Sequence, residues 1–135
     1  MKRTPVLVVD DNLDIAHTTA LILNYLGYAA TTAGDGLEAI QKVEAQPYDV
    51  IVMDIKMPRM GGMEACQRIL EMRPEAVVVM TTAFAVEGLV QQVRAAGARY
   101  VLYKPLDVGE LIAIIERHGR SRAQGGTSVR NGEMR

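Results

Sequence analysis

The amino-acid sequence predicts an α/β fold, a five-stranded parallel sheet with helices on both of its faces. Short apolar runs alternate with longer amphipathic stretches five times along the chain. Three of the runs are almost continuous in valine, isoleucine, leucine and methionine, as expected of strands that are buried on both faces. Five successive strand–helix units joined by right-handed crossovers give a parallel sheet.

The predicted strands are short, and most of them are followed directly by a polar residue. The second strand is the weakest prediction because alanine and threonine dominate it. The predicted strands are Val6–Val9, Ala29–Thr32, Val50–Met53, Val77–Met80 and Tyr100–Tyr103.

The stretches between the strands carry apolar residues at helical spacing. Gly27, Gly97 and Gly119 are suited to end the first, fourth and fifth helices, whereas Pro47 and Pro74 follow the second and third. The predicted buried stripes, helix by helix, are Ile15, Thr19, Ile22, Leu23 and Leu26; Leu37, Ile40 and Val43; Met63, Cys66, Ile69 and Leu70; Leu89, Val93 and Ala96; and Val108, Leu111, Ile112 and Ile115.

The length and composition indicate one globular domain. The chain has 135 residues, of which 49% are hydrophobic and 23% are charged. We assign residues 1–118 to the folded domain. The remainder, residues 119–135, is rich in glycine, serine and arginine, and we expect a flexible tail or a linker remnant there.

The charge and the cysteine content restrict the environment and the partners. The formal net charge is −1, and the four arginines and one glutamate of the tail leave −4 on residues 1–118. This mildly acidic charge on the folded domain argues against direct nucleic-acid binding. Cys66 is the single cysteine, and no apolar run is long enough for a signal peptide or a membrane span. We therefore expect a cytoplasmic protein that does not contact membranes.

Polar residues with coherent chemistry follow four of the five predicted strands. Asp10 and Asp11 follow the first strand, Asp54 the third, Thr82 the fourth and Lys104 the fifth. Ligands of open α/β sheets bind at the carboxyl ends of the strands. In the flavodoxin-like strand order 2-1-3-4-5, these ends lie together in one shallow pocket.

The pocket predicted in this way suits a divalent cation and a phosphoryl group. Neighbouring carboxylates repel one another unless a cation neutralises them, and oxygen ligands without histidine favour Mg²⁺ or Mn²⁺ over Zn²⁺. Asp54 is placed to act as a carboxylate nucleophile, with a lysine charge and a threonine hydroxyl for the phosphoryl oxygens. Each residue alone is also explained as a helix cap, strand or turn residue. Their joint order predicts a phosphoryl site.

These residues resemble the receiver domain of two-component response regulators. The shared features are an acidic pair, an aspartate followed by x-x-Met-Pro, a Thr-Ala and a Lys-Pro, in this order. The resemblance extends from residue 5 to about residue 118. The matching stretches are VLVVDDN at 6–12, DVIVMDIKMP at 49–58, VVVMTTAFA at 77–85 and YVLYKPL at 100–106.

The resemblance implies a ligand set for the metal ion. Asp54 would be the phosphoacceptor. Asp11 and Asp54 would bind Mg²⁺ directly, together with the backbone carbonyl of Lys56. Asp10 would act through a metal-bound water.

The resemblance also implies the function. A histidine kinase or a histidine phosphotransfer protein would supply the phosphoryl group from a phosphohistidine. Thr82 and Lys104 would then bind phosphoryl oxygens, and the bond between Lys104 and Pro105 would be cis. The surface formed by the fourth helix, fifth strand and fifth helix would change and control a downstream protein or a second copy of the domain. The domain would catalyse its own phosphorylation and dephosphorylation but no other reaction.

The sequence departs from the family pattern at three places. The usual switch aromatic, three residues before the lysine, is Val101 here; either Tyr103 on the same strand face substitutes, or the output surface changes without it. Gly61 replaces an acidic residue or asparagine as a passable helix cap. Lys56 and Phe84 occupy positions that tune phosphoryl lifetime in the family, and a bulky Phe84 would screen the site from water.

Other interpretations remain open at this stage. The chain is a stand-alone regulator or a receiver from a hybrid histidine kinase or larger regulator. A phosphatase that forms an aspartyl phosphate usually has a second aspartate two residues after the nucleophile, but Lys56 occupies that position. A flavodoxin-like cofactor binder needs a phosphate loop rich in serine, threonine and glycine, whereas DDNLD follows the first strand here.

Overall fold

The predicted α/β architecture is confirmed by a computed structural model that describes residues 3–119. Five parallel strands form one sheet in the order β2-β1-β3-β4-β5. The strands are β1 (Pro5–Val9), β2 (Ala29–Ala33), β3 (Val50–Asp54), β4 (Val77–Thr82) and β5 (Tyr100–Tyr103). The predicted flexible tail, Gly119 apart, lies outside the described residues.

Five helices connect and cover the strands. They are α1 (Leu13–Tyr25), α2 (Gly36–Ala45), α3 (Gly62–Met72), α4 (Leu89–Ala95) and α5 (Val108–His118). Asn12, Asp35 and Asp107 each precede a helix and accept a hydrogen bond from a backbone amide of its first turn, which satisfies a donor that the helix leaves free. Gly27 and Gly97 have positive φ angles of 104° and 102° one residue beyond the C-caps of α1 and α4, as predicted for helix-ending glycines.

The sheet separates two hydrophobic cores. Alternate side chains of the central strands point to opposite faces. On one face they pack against α2, α3 and α4, and on the other against α1 and α5. The sheet is therefore buried on both sides, which explains why β1, β3 and β4 are almost continuously apolar.

The predicted buried stripe of α1 is partly wrong. Thr19 and Leu23 are buried, but Ile15, Ile22 and Leu26 are 41%, 37% and 49% exposed. The helix instead buries the smaller Ala16 and Ala20 against the sheet. The larger side chains lie at the edge of the buried face, where Ile15 and Ile22 line a groove of about 400 Å³ that extends to α5. Apolar spacing identified the helix correctly, but it did not distinguish the centre of its buried face from the edge.

The other stripes agree better with the structure. Leu37 of α2 is 37% exposed, whereas Val43, Ile69, Val93 and Ile115 are buried as predicted. Among the described residues, no helix is both long enough and apolar enough to cross a membrane.

Cys66 is buried in α3 and is free. Burial raises the pKa of its thiol to about 11. The thiol is therefore protonated at neutral pH and a weak nucleophile.

Candidate functional site

The carboxyl ends of β1 and β3 bring three aspartates together. These strands are neighbours in register, with Val9 opposite Met53, so the residues that follow them lie side by side. One carboxylate oxygen from each of Asp10, Asp11 and Asp54 lies within 4.8 Å of the others. Asp10 and Asp54 are buried, and Asp11 is exposed.

Lys104 connects two of these carboxylates from the end of β5. Its Nζ lies 2.8 Å from Oδ2 of Asp10 and 3.0 Å from Oδ2 of Asp54. The lysine side chain is 22% exposed. The bond from Lys104 to Pro105 is cis, as predicted. The structure thus assembles all four charged residues that the sequence predicted for this edge of the sheet.

Burial and charge shift the pKa values at this cluster. Burial raises the pKa of Asp54, and the nearby Asp10 adds to this, while the hydrogen bond and charge of Lys104 partly oppose it. Burial alone would lower the pKa of Lys104, but its hydrogen bonds and attraction to Asp10 and Asp54 raise it overall. The ammonium is therefore held protonated, and the Asp54 carboxylate lacks full compensation for its burial.

The donor set fits a small hard cation. Mg²⁺ binds oxygen ligands at about 2.0–2.1 Å, so two ligands on opposite sides of one ion lie about 4 Å apart. The 4.8 Å spread of the three carboxylate oxygens is close to this value. Lys104 contacts one carboxylate oxygen each of Asp10 and Asp54, so an ion and the ammonium would compete for these two aspartates.

The backbone of Asp54 is fixed by close packing against the start of α3. A Cβ at Gly62 would lie 2.3 Å from the Asp54 carbonyl oxygen and 2.7 Å from Cε of Met80. Both distances are shorter than real contacts, so only glycine allows this approach. The adjacent Gly61 has more room, with 3.3 Å from a Cβ to the carbonyl oxygen of Ile55.

We expect Gly62→Ala to destabilise the protein by about 2 kcal/mol or more, because the new methyl group must displace the Asp54 backbone. Urea unfolding measures the loss. Gly61→Ala is the matched control, since it adds the same atom where φ is −75° and loses only the modest cap preference of glycine. Equal losses in the two variants would contradict the packing argument.

Two residues predicted for the site lie at the end of β4 and in the loop that follows it. Thr82 Oγ1 accepts a hydrogen bond from the Phe84 amide at 3.1 Å and donates one to the Phe84 carbonyl at 3.3 Å. Phe84 is 64% exposed, and Nζ of Lys56 lies 5.8 Å from its ring centroid. The residues predicted to tune phosphoryl lifetime therefore contact each other across the loops.

The predicted switch position and its substitute differ in exposure. Val101 packs against the core that α2, α3 and α4 share, whereas Tyr103 is 46% exposed. Both line a groove of about 230 Å³ between α4 and β5, together with Arg94 and Arg99. The role of Tyr103 as a switch stays a prediction.

One ion pair near the site was not predicted from the sequence. Asp35, the residue that caps α2, accepts hydrogen bonds from Arg59 in the loop before α3. The pattern of Asp35 followed by Glu38 before an apolar stripe signals the cap. No local signal identifies Arg59, because its partner lies 24 residues away in the sequence.

The structure is an α/β domain whose parallel sheet carries three aspartates and a lysine at its carboxyl edge, where such sheets bind their ligands. Residues 6–116 match the response regulator receiver domain family. The chain belongs to this family.

Curated relatives and solved structures support the same assignment. The transcriptional regulatory protein PdtaR of Mycobacterium tuberculosis is 39% identical over 112 residues, which are 82% of this chain and 54% of PdtaR. The chemotaxis protein CheY of Treponema pallidum is 40% identical over 105 residues, 76% of this chain and 73% of that protein. A CheY-like receiver domain from Methanospirillum hungatei superposes with a TM-score of 0.83 at 27% identity, and the match covers 93% of this chain and all of that one. The matched region is thus about half the length of PdtaR.

Proposed function

We propose that this domain is a phosphorylation-activated signalling switch whose phosphoacceptor is Asp54. The observation that carries the proposal is the cluster at the sheet edge, in which three carboxylate oxygens lie within 4.8 Å and Lys104 contacts two of the aspartates. Family membership supports the same function. The domain promotes only its own phosphorylation and dephosphorylation and turns over no separate substrate.

Different residues of the site have different roles in phosphoryl transfer. An oxygen of the Asp54 carboxylate attacks the phosphorus, and the bond from phosphorus to the donor imidazole nitrogen breaks. Lys104 and Thr82 then contact oxygens of the transferred group. Bound Mg²⁺ or Mn²⁺ would neutralise charge on the phosphoryl oxygens. Asp11, Asp54 and the backbone carbonyl of Lys56 would hold it directly, and Asp10 would hold it through a water.

Phosphorylation would change the protein surface through the loop after β4. To reach a phosphoryl group on Asp54, the Thr82 hydroxyl must leave the Phe84 backbone, which releases two hydrogen bonds of that loop. The groove between α4 and β5 begins just beyond the loop. A few kcal/mol of differential binding is enough to shift such a two-state surface.

The partners follow from this chemistry. The donor is a histidine kinase or a histidine phosphotransfer protein, and the reader of the α4-β5-α5 surface is a downstream protein or a second copy of the domain. Among the described residues, Arg94 and Arg99 in the groove have no ion-pair partner, so an acidic segment is favoured there. The acidic body makes direct nucleic-acid binding unfavourable, and we place the protein in the cytoplasm, away from the membrane.

The proposal is tested by incubating the protein with acetyl phosphate and Mg²⁺ and measuring its intact mass. We expect a gain of one phosphoryl group that a chelator prevents, with the modification mapped to the peptide that contains Asp54. No gain with either Mg²⁺ or Mn²⁺ would refute the proposal.

The contact between Lys56 and Phe84 is expected to lengthen the lifetime of the phosphorylated state. An exposed cation–π contact contributes about 0.5–1 kcal/mol, equivalent to about a two- to five-fold change in rate. Phe84→Ala and Lys56→Ala should each speed dephosphorylation by about this factor, because water then reaches Asp54 more easily. The rate is measured by the decay of phosphorylated protein after the donor is removed.

The control is Val86→Ala, an exposed apolar residue of the same loop. The double variant Lys56→Ala/Phe84→Ala should dephosphorylate no faster than the faster of the two single variants, because each change removes the same contact. Fully additive effects would show that the two side chains act separately.

A further inference from the structure

The loop between β3 and α3 contains a residue in an unfavourable backbone conformation. Arg59 has a φ angle of 66°, in the left-handed region. This conformation is unfavourable for a residue with a side chain relative to glycine. Arg59 follows Lys56 by three positions. Lys56, Pro58 and Arg59 are exposed, and only Met57 between them packs against the core. Inside the loop the Met60 amide donates to the Pro58 carbonyl at 2.7 Å, and the Arg59 guanidinium is restrained from outside the loop.

Asp35 supplies this restraint from the loop before α2. Nε and Nη2 of Arg59 each lie 2.6 Å from Oδ2 of Asp35. The Asp35 side chain is only 9% exposed, whereas that of Arg59 is 63% exposed. Charge-assisted bonds of this length are about twice as strong as neutral ones, so the pair favours the loop conformation in which Arg59 reaches Asp35.

Asp35 is itself held in place. Its Oδ1 accepts a hydrogen bond from the Glu38 amide at 2.9 Å. This bond and the Arg59 guanidinium lower the pKa of Asp35, although burial opposes them, so it is ionised at neutral pH. A carboxylate fixed to the start of α2 gives Arg59 a rigid partner.

The two loops also pack directly against each other. A Cβ at Gly36 would lie 2.7 Å from the carbonyl oxygen of Met60, so the backbones are in close contact. Met60 is buried, and the Gly62 amide donates to the Ile55 carbonyl at 2.8 Å to close the base of the loop. Both ends of the loop are thus fixed to the core, and the pair of Asp35 and Arg59 restrains the exposed part between them.

We infer that the ion pair between Asp35 and Arg59 is a positioning device for the metal site. It holds the exposed loop in the conformation that presents the Lys56 backbone carbonyl beside Asp54. Neither residue of the pair belongs to the acidic cluster, so both act through the loop. The inference rests on the proposed metal-dependent phosphorylation of Asp54.

Two conservative variants separate positioning from folding. Arg59→Gly keeps the left-handed backbone without strain but removes the guanidinium. Asp35→Asn keeps a good helix cap but removes the charge. Arg68→Ala, which removes an exposed arginine paired with Glu64 on α3, is the control.

The first measurement is Mn²⁺ binding to the unphosphorylated protein, read from the electron paramagnetic resonance of free Mn²⁺. The second is the Mg²⁺ dependence of phosphorylation by acetyl phosphate.

We expect both variants to weaken Mn²⁺ binding by about three- to ten-fold, somewhat less than is typical when a residue touching a metal ligand is changed. The half-saturating Mg²⁺ concentration should rise by the same factor, while the rate at saturating Mg²⁺ stays at the wild-type value. Arg59→Lys should recover part of the loss, and the double variant should be no worse than the larger single one.

The outcomes distinguish this inference from the function on which it rests. Wild-type affinity for Mn²⁺ in Arg59→Gly would overturn the inference and leave the proposed function intact. A lower phosphorylation rate at saturating Mg²⁺ with unchanged Mn²⁺ affinity would also overturn it, since the ion pair would then not position a metal ligand. If the wild type neither binds Mn²⁺ nor accepts a phosphoryl group, the proposed function fails as well.

Discussion

Replacing Asp54 with asparagine is expected to abolish phosphorylation completely while it stabilises the metal-free protein. The amide is not a carboxylate nucleophile, so no acyl phosphate forms. Burial raises the pKa of Asp54, which means that the fold disfavours its ionised form relative to the unfolded chain. That penalty is present above the raised pKa and disappears as the pH falls through it. Asp54→Asn removes the penalty at neutral pH.

Intact mass after incubation with acetyl phosphate and Mg²⁺ measures the first effect. Urea unfolding in the presence of a chelator measures the second, and the midpoint of the variant should exceed that of the wild type at neutral pH. The difference should shrink in acid, where Asp54 of the wild type becomes protonated. Glu71→Gln, which neutralises an exposed carboxylate on α3, should change neither quantity. A variant less stable than the wild type at neutral pH would show that Asp54 contributes more through Lys104 than it costs through burial.

The strand ends were predictable because their chemistry is local in the sequence. Asp10, Asp54 and Lys104 each follow an apolar run directly, and a parallel sheet brings such positions to one edge. The strand order followed from the resemblance to a known fold. The charged part of the site was therefore predictable once the runs were identified as parallel strands.

Features that depend on packing between distant segments could not be predicted in the same way. The restraint of Arg59 by Asp35 involves two loops, and neither residue follows an apolar run directly. The contact of Lys56 with Phe84 likewise joins separate loops. The resemblance to the family had singled out both positions for phosphoryl lifetime, but it did not predict that they touch. The buried face of α1 was misjudged because the large residues Ile15 and Ile22 were weighted above small alanines. Close approach of a helix to a sheet favours the small residues.

Lys104→Met is expected to tighten metal binding and to slow phosphorylation, two effects of opposite sign. The ammonium contacts Oδ2 of Asp10 and Oδ2 of Asp54, so it competes with a cation for these oxygens. Methionine removes the competitor and leaves three carboxylates with less compensation, which favours Mg²⁺ or Mn²⁺. The phosphoryl oxygens lose a cation, which costs about 10²-fold in rate by analogy with other charge-stabilising donors.

Mn²⁺ affinity and the phosphorylation rate at saturating Mg²⁺ measure the two effects, with Lys42→Met as a control lysine outside the site. Without metal, Lys104→Met should also be less stable than the wild type, and Mg²⁺ should restore most of the difference because the ion replaces the missing charge. A pH titration checks the same contact in the wild type. Because Asp10 and Asp54 raise the pKa of Lys104, its stabilisation is present at neutral pH and is lost as the pH rises through that pKa. Weaker metal binding in Lys104→Met would mean that the lysine organises the aspartates for the ion, and competition between the two cations would then be the wrong description of this site.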